Sequence, residues 1–307
     1  MARRLILLRQ CAVGVGRMNV TTESGAGRKP GTPAILLPIS TWPDTTPAAG
    51  LLRAFDIAAS LGATMTAVLH EVDIPAANSF IGNSLINVSG MIAAAEQKSA
   101  ANADRLGAQL RALAGRFNAP LQVRRWRGHL GDAPAHYSRA ARTYDHTFFV
   151  PLPGDASQRD IVEAVLFGSG GPVWVFPAEE ATAHLKTIAI AWDGGRAAAR
   201  AVRDALPILR QAGDVTILSI SDDKPIDGAS VEALRDFLVA HGVPAVSVSI
   251  ERGQQPVGDV LQDAALDCGA GLLVMGGYGH SRLRQFALGG ATRSVLGGAA
   301  LPILLSH

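Results

Sequence analysis

Cysteine is almost absent: Cys11 and Cys268 are the only two in 307 residues. Set so far apart, they provide neither a disulfide framework nor a metal-ligand spacing, as expected in a reducing cytoplasm. Lysine is nearly as scarce, with Lys29, Lys98, Lys186 and Lys224 alone, so arginine carries most of the basic charge. The net charge is only +2 with 18 % charged residues, and no basic strip is interleaved with aromatics. Neither a nucleic-acid nor a membrane partner is expected on that basis. No apolar run reaches the ~18 residues that a spanning helix needs. Also missing are G-x-x-x-x-G-K-[Ser/Thr], G-x-S-x-G, H-E-x-x-H and C-x-x-C, which leaves no motif for a P-loop, a serine hydrolase, a zinc protease or a dithiol. Histidines 70, 129, 136, 146, 184, 241 and 307 are scattered without ligand spacing. No catalytic residue and no metal site are expected, and the chain reads as a binding protein rather than an enzyme.

What the sequence does have is enough apolar residue, 48 %, for two ordinary cores of ~150 residues each. At the start, the apolar stretch Leu5–Leu8 is broken by Arg9 and Gln10, too short for a signal-peptide core. Residues 1–32 therefore read as a disordered tail, with Met18 as an alternative start. Beyond it one unit is written twice. Strand Ala34–Pro38 and a helix over about 47–61 correspond to strand Thr187–Ala191 and a helix over about 196–211. Each is followed by a β-branched run, Met65–Leu69 or Val215–Ile220. Leu121–Arg125 leads to Arg127-Gly128, and Val246–Ile250 leads to Arg252-Gly253. Each half ends on a proline-led strand, Val173–Phe176 or Ile303–Leu305. Strands alternating with helical patterns predict parallel sheets with helices on both faces. The domains are expected at 33–178 and 184–307, divided by the polar stretch Ala178–Thr182.

The stretch with the clearest chemical meaning begins at Leu272. Leu272–Met275 reads as a buried strand, Gly276-Gly277-Tyr278-Gly279 breaks it, and Gly289-Gly290-Ala291-Thr292 opens a helix. Main chain without Cβ, followed by a helix N-terminus, can seat an anion. His280, Ser281, Arg282 and Arg284 lie between the glycine groups. Asp193, after strand Thr187–Ala191, can accept hydrogen bonds from a ribose or a base edge, or can cap the next helix.

The glycine spacing resembles the G-x-x-G-x9-G-[Ser/Thr] loop of nucleotide-binding universal stress proteins, with Gly276, Gly279 and Gly289 at the glycine positions. Gly290 stands where that family has a hydroxyl, and Thr292 could supply one. The order of elements over residues 33–307 resembles two tandem copies of that family. The resemblance implies an α/β fold: two flavodoxin/HUP-like domains, each a five-stranded mainly parallel sheet, packed as a pseudo-dimer through their last strands. It also implies a regulatory role in the stress response, with ATP or another adenine nucleotide held by the second repeat only. The site residues it implies are Asp193, main chain at Ile220, Met275, Gly276, Gly279, His280, Gly289, Gly290, Ala291 and Thr292. A homodimer is a further expectation.

The first repeat is degenerate by the same standard. It has Ser40 at the position of Asp193, and Val150-Pro151-Leu152-Pro153-Gly154 in place of the glycine ladder; proline removes backbone donors. Gly168–Gly171 reads as a turn into the last strand. An insertion over His70–Gly90 carries apolar residues that suit either a partner surface or packing on the long helix that follows. The alternative function is a scaffold without nucleotide, acting through protein partners. An adenylating enzyme of the HUP type is the third reading, against which Trp192–Ala197 lacks the serines of the corresponding loop.

Overall fold

The computed structural model describes residues 31–75, 87–181, 183–223, 227–277 and 290–307. The expected tail lies almost wholly outside these residues. So do Gly279, His280 and Gly289, the arginines between the glycine groups, and most of the insertion.

The first half runs β1 (Ala34–Ser40), α1 (Ala48–Ser60), β2 (Thr64–Val72), α2 (Val88–Phe117), β3 (Leu121–Gly128), α3 (Ala133–Ala141), β4 (His146–Phe149), α4 (Ala156–Gly168) and β5 (Val173–Val175). The second runs β6 (Thr187–Ala191), α5 (Arg196–Leu209), β7 (Asp214–Ile220), α6 (Gly228–Ala240), β8 (Val246–Ile250), α7 (Val257–Asp267), β9 (Leu272–Gly276), α8 (Gly290–Gly297) and β10 (Ile303–Ser306). Their strands form one sheet in the order β3-β2-β1-β4-β5-β10-β9-β6-β7-β8. The order within one half mirrors that in the other. Each half reverses direction beside its first strand, the place where open α/β sheets leave a crevice beyond the strand ends.

Among the described residues, all ladders are parallel except the one that joins the halves. There β5 and β10 run antiparallel, with Val173 opposite Leu305, Trp174 opposite Leu304 and Val175 opposite Ile303. All six side chains are buried. Last strands that would otherwise present bare edges thus cover each other inside one chain.

Alternation along the strands sends side chains to two apolar layers that run across both halves. Ile35, Leu37, Ile188 and Ile190 face the layer under α1, α2, α5 and α6; Leu36, Ala189, Leu273 and Met275 face the layer under α3, α4, α7 and α8. Buried Leu106 and Leu110 on α2, like Leu234 and Leu238 on α6, keep the helical spacing of a core-facing stripe. Fully burying one such side chain contributes about 1.5–3 kcal/mol.

Several bounds differ from those the sequence suggests. Strand β1 continues to Ser40 and β2 to Val72, because β1 pairs β2 through Ser40 opposite His70 and β3 pairs β2 through Gly128 opposite Val72. With α2 beginning at Val88, the insertion shrinks at both ends. Asn87 caps α2 by accepting from the Gly90 N–H at 2.9 Å. The Gly168–Gly171 segment is the turn from α4 to β5, with Gly170 at φ 80°.

Candidate functional site

Strand β6 stops at Ala191, and Trp192 makes one more ladder bond, its N–H donating to the Leu218 carbonyl at 2.8 Å. Gly194 then takes φ 72°, turning the chain into α5. Asp193 is exposed at this turn, and its Oδ1 accepts from the Gly195 N–H at 2.8 Å. Gly195 is the N-cap of α5 and has no side-chain cap. The carboxylate therefore serves the helix entrance while remaining at the crevice.

Strand β7 reaches past the end of β6. Ser221 N–H donates to the Ile250 carbonyl at 2.8 Å, so Ser219 and Ser221 direct their main chain to β8. In a parallel ladder the intervening Ile220 then turns its main chain toward the β6 side, where that strand has ended.

These strand ends surround a cavity of about 420 Å³. Its apolar wall is made by Ala191, Ile220, Met275, Val257 and Leu261; Asp193, Asp223 and Arg252 are its charged members. Ala197 and Ala198 of α5, Val257 of α7 and Gly290, Ala291 and Thr292 of α8 also line it. The first turns of three helices thus lie at the cavity, and the positive dipole ends of such helices favour an anion there. A volume of this size suits a small organic ligand.

Of the ten residues expected from the sequence, Asp193, Ile220, Met275, Gly276, Gly290, Ala291 and Thr292 all line this one cavity. Gly279, His280 and Gly289 fall outside the described residues. Gly290 is open: a Cβ there would meet nothing within 4 Å. Gly276 is closed: a Cβ would lie 2.5 Å from the Ala198 nitrogen and 2.7 Å from the Ala197 carbonyl carbon. Its missing side chain is needed for β9 to pass against α5, a packing reason that is independent of any anion.

Sequence reasoning did not single out Trp192, Asp223, Arg252, Val257 or Leu261. Val257 and Leu261 stand four apart on α7, a spacing that ordinary core helices share. Arg252 was visible only as half of the repeated Arg-Gly pair. Its Nε lies 3.3 Å from Asp223, while Asp222 accepts from the Arg252 and Gly253 N–H groups at 2.8 Å each. Those two main-chain donors hold the Asp222 carboxyl below its usual range. The first half has a matching clamp, with Arg127 paired to Asp73 at 3.1 Å. Since the crevice beside that clamp holds only about 40 Å³, tying strand tips together is enough to explain the clamp.

The corresponding crevice of the first half holds only about 40 Å³. His70 stands at the position of Ile220, and Tyr137, buried to 2 % exposure, at that of Leu261. Trp126 stacks on His70 at 4.3 Å and on His136 at 3.9 Å, and Tyr137 meets Trp126 edge-on at 5.7 Å. Burial lowers the pKa of both imidazoles, that of His136 to about 4. Neutral rings fill the space that is empty in the second half.

The universal stress protein family model matches residues 184–307. No curated protein matches the chain at a significant level. Among solved structures, a universal stress protein from Archaeoglobus fulgidus DSM 4304 is similar over 89 % of this chain and 97 % of its own, with 16 % identity and a TM-score of 0.61. A candidate universal stress protein from Pseudomonas aeruginosa UCBPP-PA14 is similar over 90 % of this chain and 93 % of its own, with 14 % identity and a TM-score of 0.51. Likeness at these identities extends the fold, and the fold alone, to the first half.

Proposed function

Because residues 184–307 belong to the universal stress protein family, we propose that the chain is a regulatory protein that binds an adenine nucleotide, ATP first, in its second half. The observation that carries this reading is the convergence of Asp193, Ile220, Met275, Gly276, Gly290, Ala291 and Thr292 on one cavity of about 420 Å³. Its apolar wall suits a purine, main chain at Ile220 can read the base edge, and Asp193 can accept from a ribose hydroxyl. The N-termini of α5, α7 and α8 favour the charge of a phosphate tail.

The reading is of a binding protein rather than an enzyme. Asp193 accepts from the Gly195 N–H and Asp223 pairs with Arg252, so each carboxylate of the described wall has a structural partner, which supports a binding role. ATP is expected to be retained without release of phosphate over many minutes.

Mass spectrometry of small molecules released from freshly purified protein tests the ligand class. Adenine nucleotide at a stoichiometric level is the expected result. Protein stripped of ligand should be stabilised by ATP, by about 2.7 kcal/mol at 100-fold above Kd. ADP, AMP, cAMP and GTP, titrated in parallel, rank the base and the phosphates. A folded protein that neither carries nor binds any of them would favour a scaffold that acts through protein partners.

A further inference from the structure

The two outer edges of the ten-stranded sheet are β3 and β8, and they are unlike. At equivalent ladder positions opposite β2 and β7, the first edge has Gln122, Arg124 and Trp126 and the second Val246, Val248 and Ile250. Strand β3 is guarded by charge: Arg125 pairs with Glu71 and Asp104, and Arg127 with Asp73 and Glu96 of α2. Strand β8, Val-Ser-Val-Ser-Ile, carries no charge, and Val246 and Val248 are 64 % and 44 % exposed. Charged side chains, proline and covering helices or loops are the usual protections of a sheet edge, and a bare uncharged one is a template for another strand.

From this contrast we infer that β8 is a pairing edge whose occupant is β8 of a second copy, joined antiparallel about a two-fold axis at Val248. The Ser221 N–H to Ile250 carbonyl bond directs the main chain of Val246, Val248 and Ile250 to β7 and that of Ser247 and Ser249 outward. A two-fold at Val248 sets Ser247 of one copy opposite Ser249 of the other. Both have outward N–H and C=O groups, so they form the hydrogen-bonded pairs of an antiparallel ladder. Val248 then meets its own symmetry mate, and Val246 meets Ile250, as β-branched pairs on one face; serines face each other on the other. The sequence reads the same in polarity from either end about Val248, which a two-fold requires. Beyond the strand, Glu251 falls opposite Ala245, so no like charges are brought together.

The charge pattern also disfavours the other edge. Two copies of β3 would bring arginines 124, 125 and 127 near one another, a like-charge arrangement. Pairing β3 to β8 would be head-to-tail and would leave an edge at each end, giving open chains rather than a closed dimer. The edges that join the two halves are already used by β5 and β10.

Sedimentation equilibrium of the full-length chain tests the inference, together with oxidative cross-linking. Wild type is expected as a dimer at micromolar concentration. Ser249→Pro removes an outward N–H without touching the β7 ladder and Val248→Lys places like charges face to face; each should weaken association at least tenfold with an unchanged circular dichroism spectrum. Val248→Cys, with Cys11 and Cys268 replaced by serine, should form a disulfide-linked dimer, since directly opposed residues of a non-hydrogen-bonded pair lie within bridging range. A folded wild-type monomer, including one that captures an extended peptide instead, would overturn it. So would a dimer that both β8 variants leave intact.

Discussion

The two halves share an order of elements and a clamp at the strand tips, yet only the second is hollow where the ligand would lie. The difference is side-chain volume placed on one backbone plan. His70 and Tyr137 stand where the second half has Ile220 and Leu261, and the first crevice shrinks to about 40 Å³ against about 420 Å³. A second contrast concerns close approach. Gly50 and Ala198 are each the third residue of the first helix of their half. In the first half the helix contributes the glycine and the strand end contributes Val150, which would lie 2.2 Å from a Cβ at Gly50. In the second half the helix contributes Ala198 and the strand contributes Gly276. The atoms met differ: the Val150 side chain and the Pro177 carbonyl oxygen around Gly50, the main chain of α5 around Gly276.

Filling the close approach at Gly276 should have the largest effect. Gly276→Val drives a side chain into the backbone of α5 and should destabilise the protein by about 3 kcal/mol, with loss of nucleotide binding. Because the atoms met are the Ala198 nitrogen and the Ala197 carbonyl carbon, adding Ala198→Gly should recover little of the stability, as denaturant titration would show. Recovery of most of it by the double variant would contradict a main-chain clash.

Filling the cavity comes next. Leu261→Tyr copies Tyr137 and should weaken nucleotide binding at least tenfold, by isothermal titration, while the fold persists. Unchanged affinity would mean that the ligand does not use this wall.

The aromatic stack of the first half gives a pH signature. The folded pKa of His136 is lowered from 6.5 to about 4, so between those values the unfolded chain binds the extra proton. Stability must therefore fall as pH drops from about 6.5 toward 4. His70 and His146, also lowered by burial, act in the same direction. His136→Phe should keep the stack and lose part of that dependence, measured as the melting temperature at pH 7 and pH 5.

Gly290→Ser is the mildest change. With open space around its Cβ, the substitution should alter stability by less than about 0.5 kcal/mol. It should tighten ATP binding by up to about tenfold if the added hydroxyl meets a phosphate oxygen.

Much of this was legible in the residues. Repeated strand–helix spacing and Arg-Gly pairs disclose the doubled α/β plan, and the family resemblance implies the seam between last strands that is seen at β5 and β10. Asp193, Met275, Gly276, Gly290, Ala291 and Thr292 could be picked out because glycine, strand ends and helix starts leave marks in sequence, and Ile220 through the family resemblance. The apolar wall could not be picked out so easily, since Val257 and Leu261 have the spacing of any core helix. Gly276 was legible as a glycine but not as a packing glycine, because its constraint comes from α5, distant in sequence. Nor does sequence alone show that Tyr137 and His70 fill the first crevice, which depends on several elements meeting in space.

The account's central claim is that one half of the chain is open to adenine nucleotide and the other is closed. Isothermal titration of ligand-free, full-length protein with ATP tests it most directly. One site per chain, abolished or weakened at least tenfold by Leu261→Tyr, is the predicted result. Two sites per chain, or no binding by a demonstrably folded protein, would contradict it.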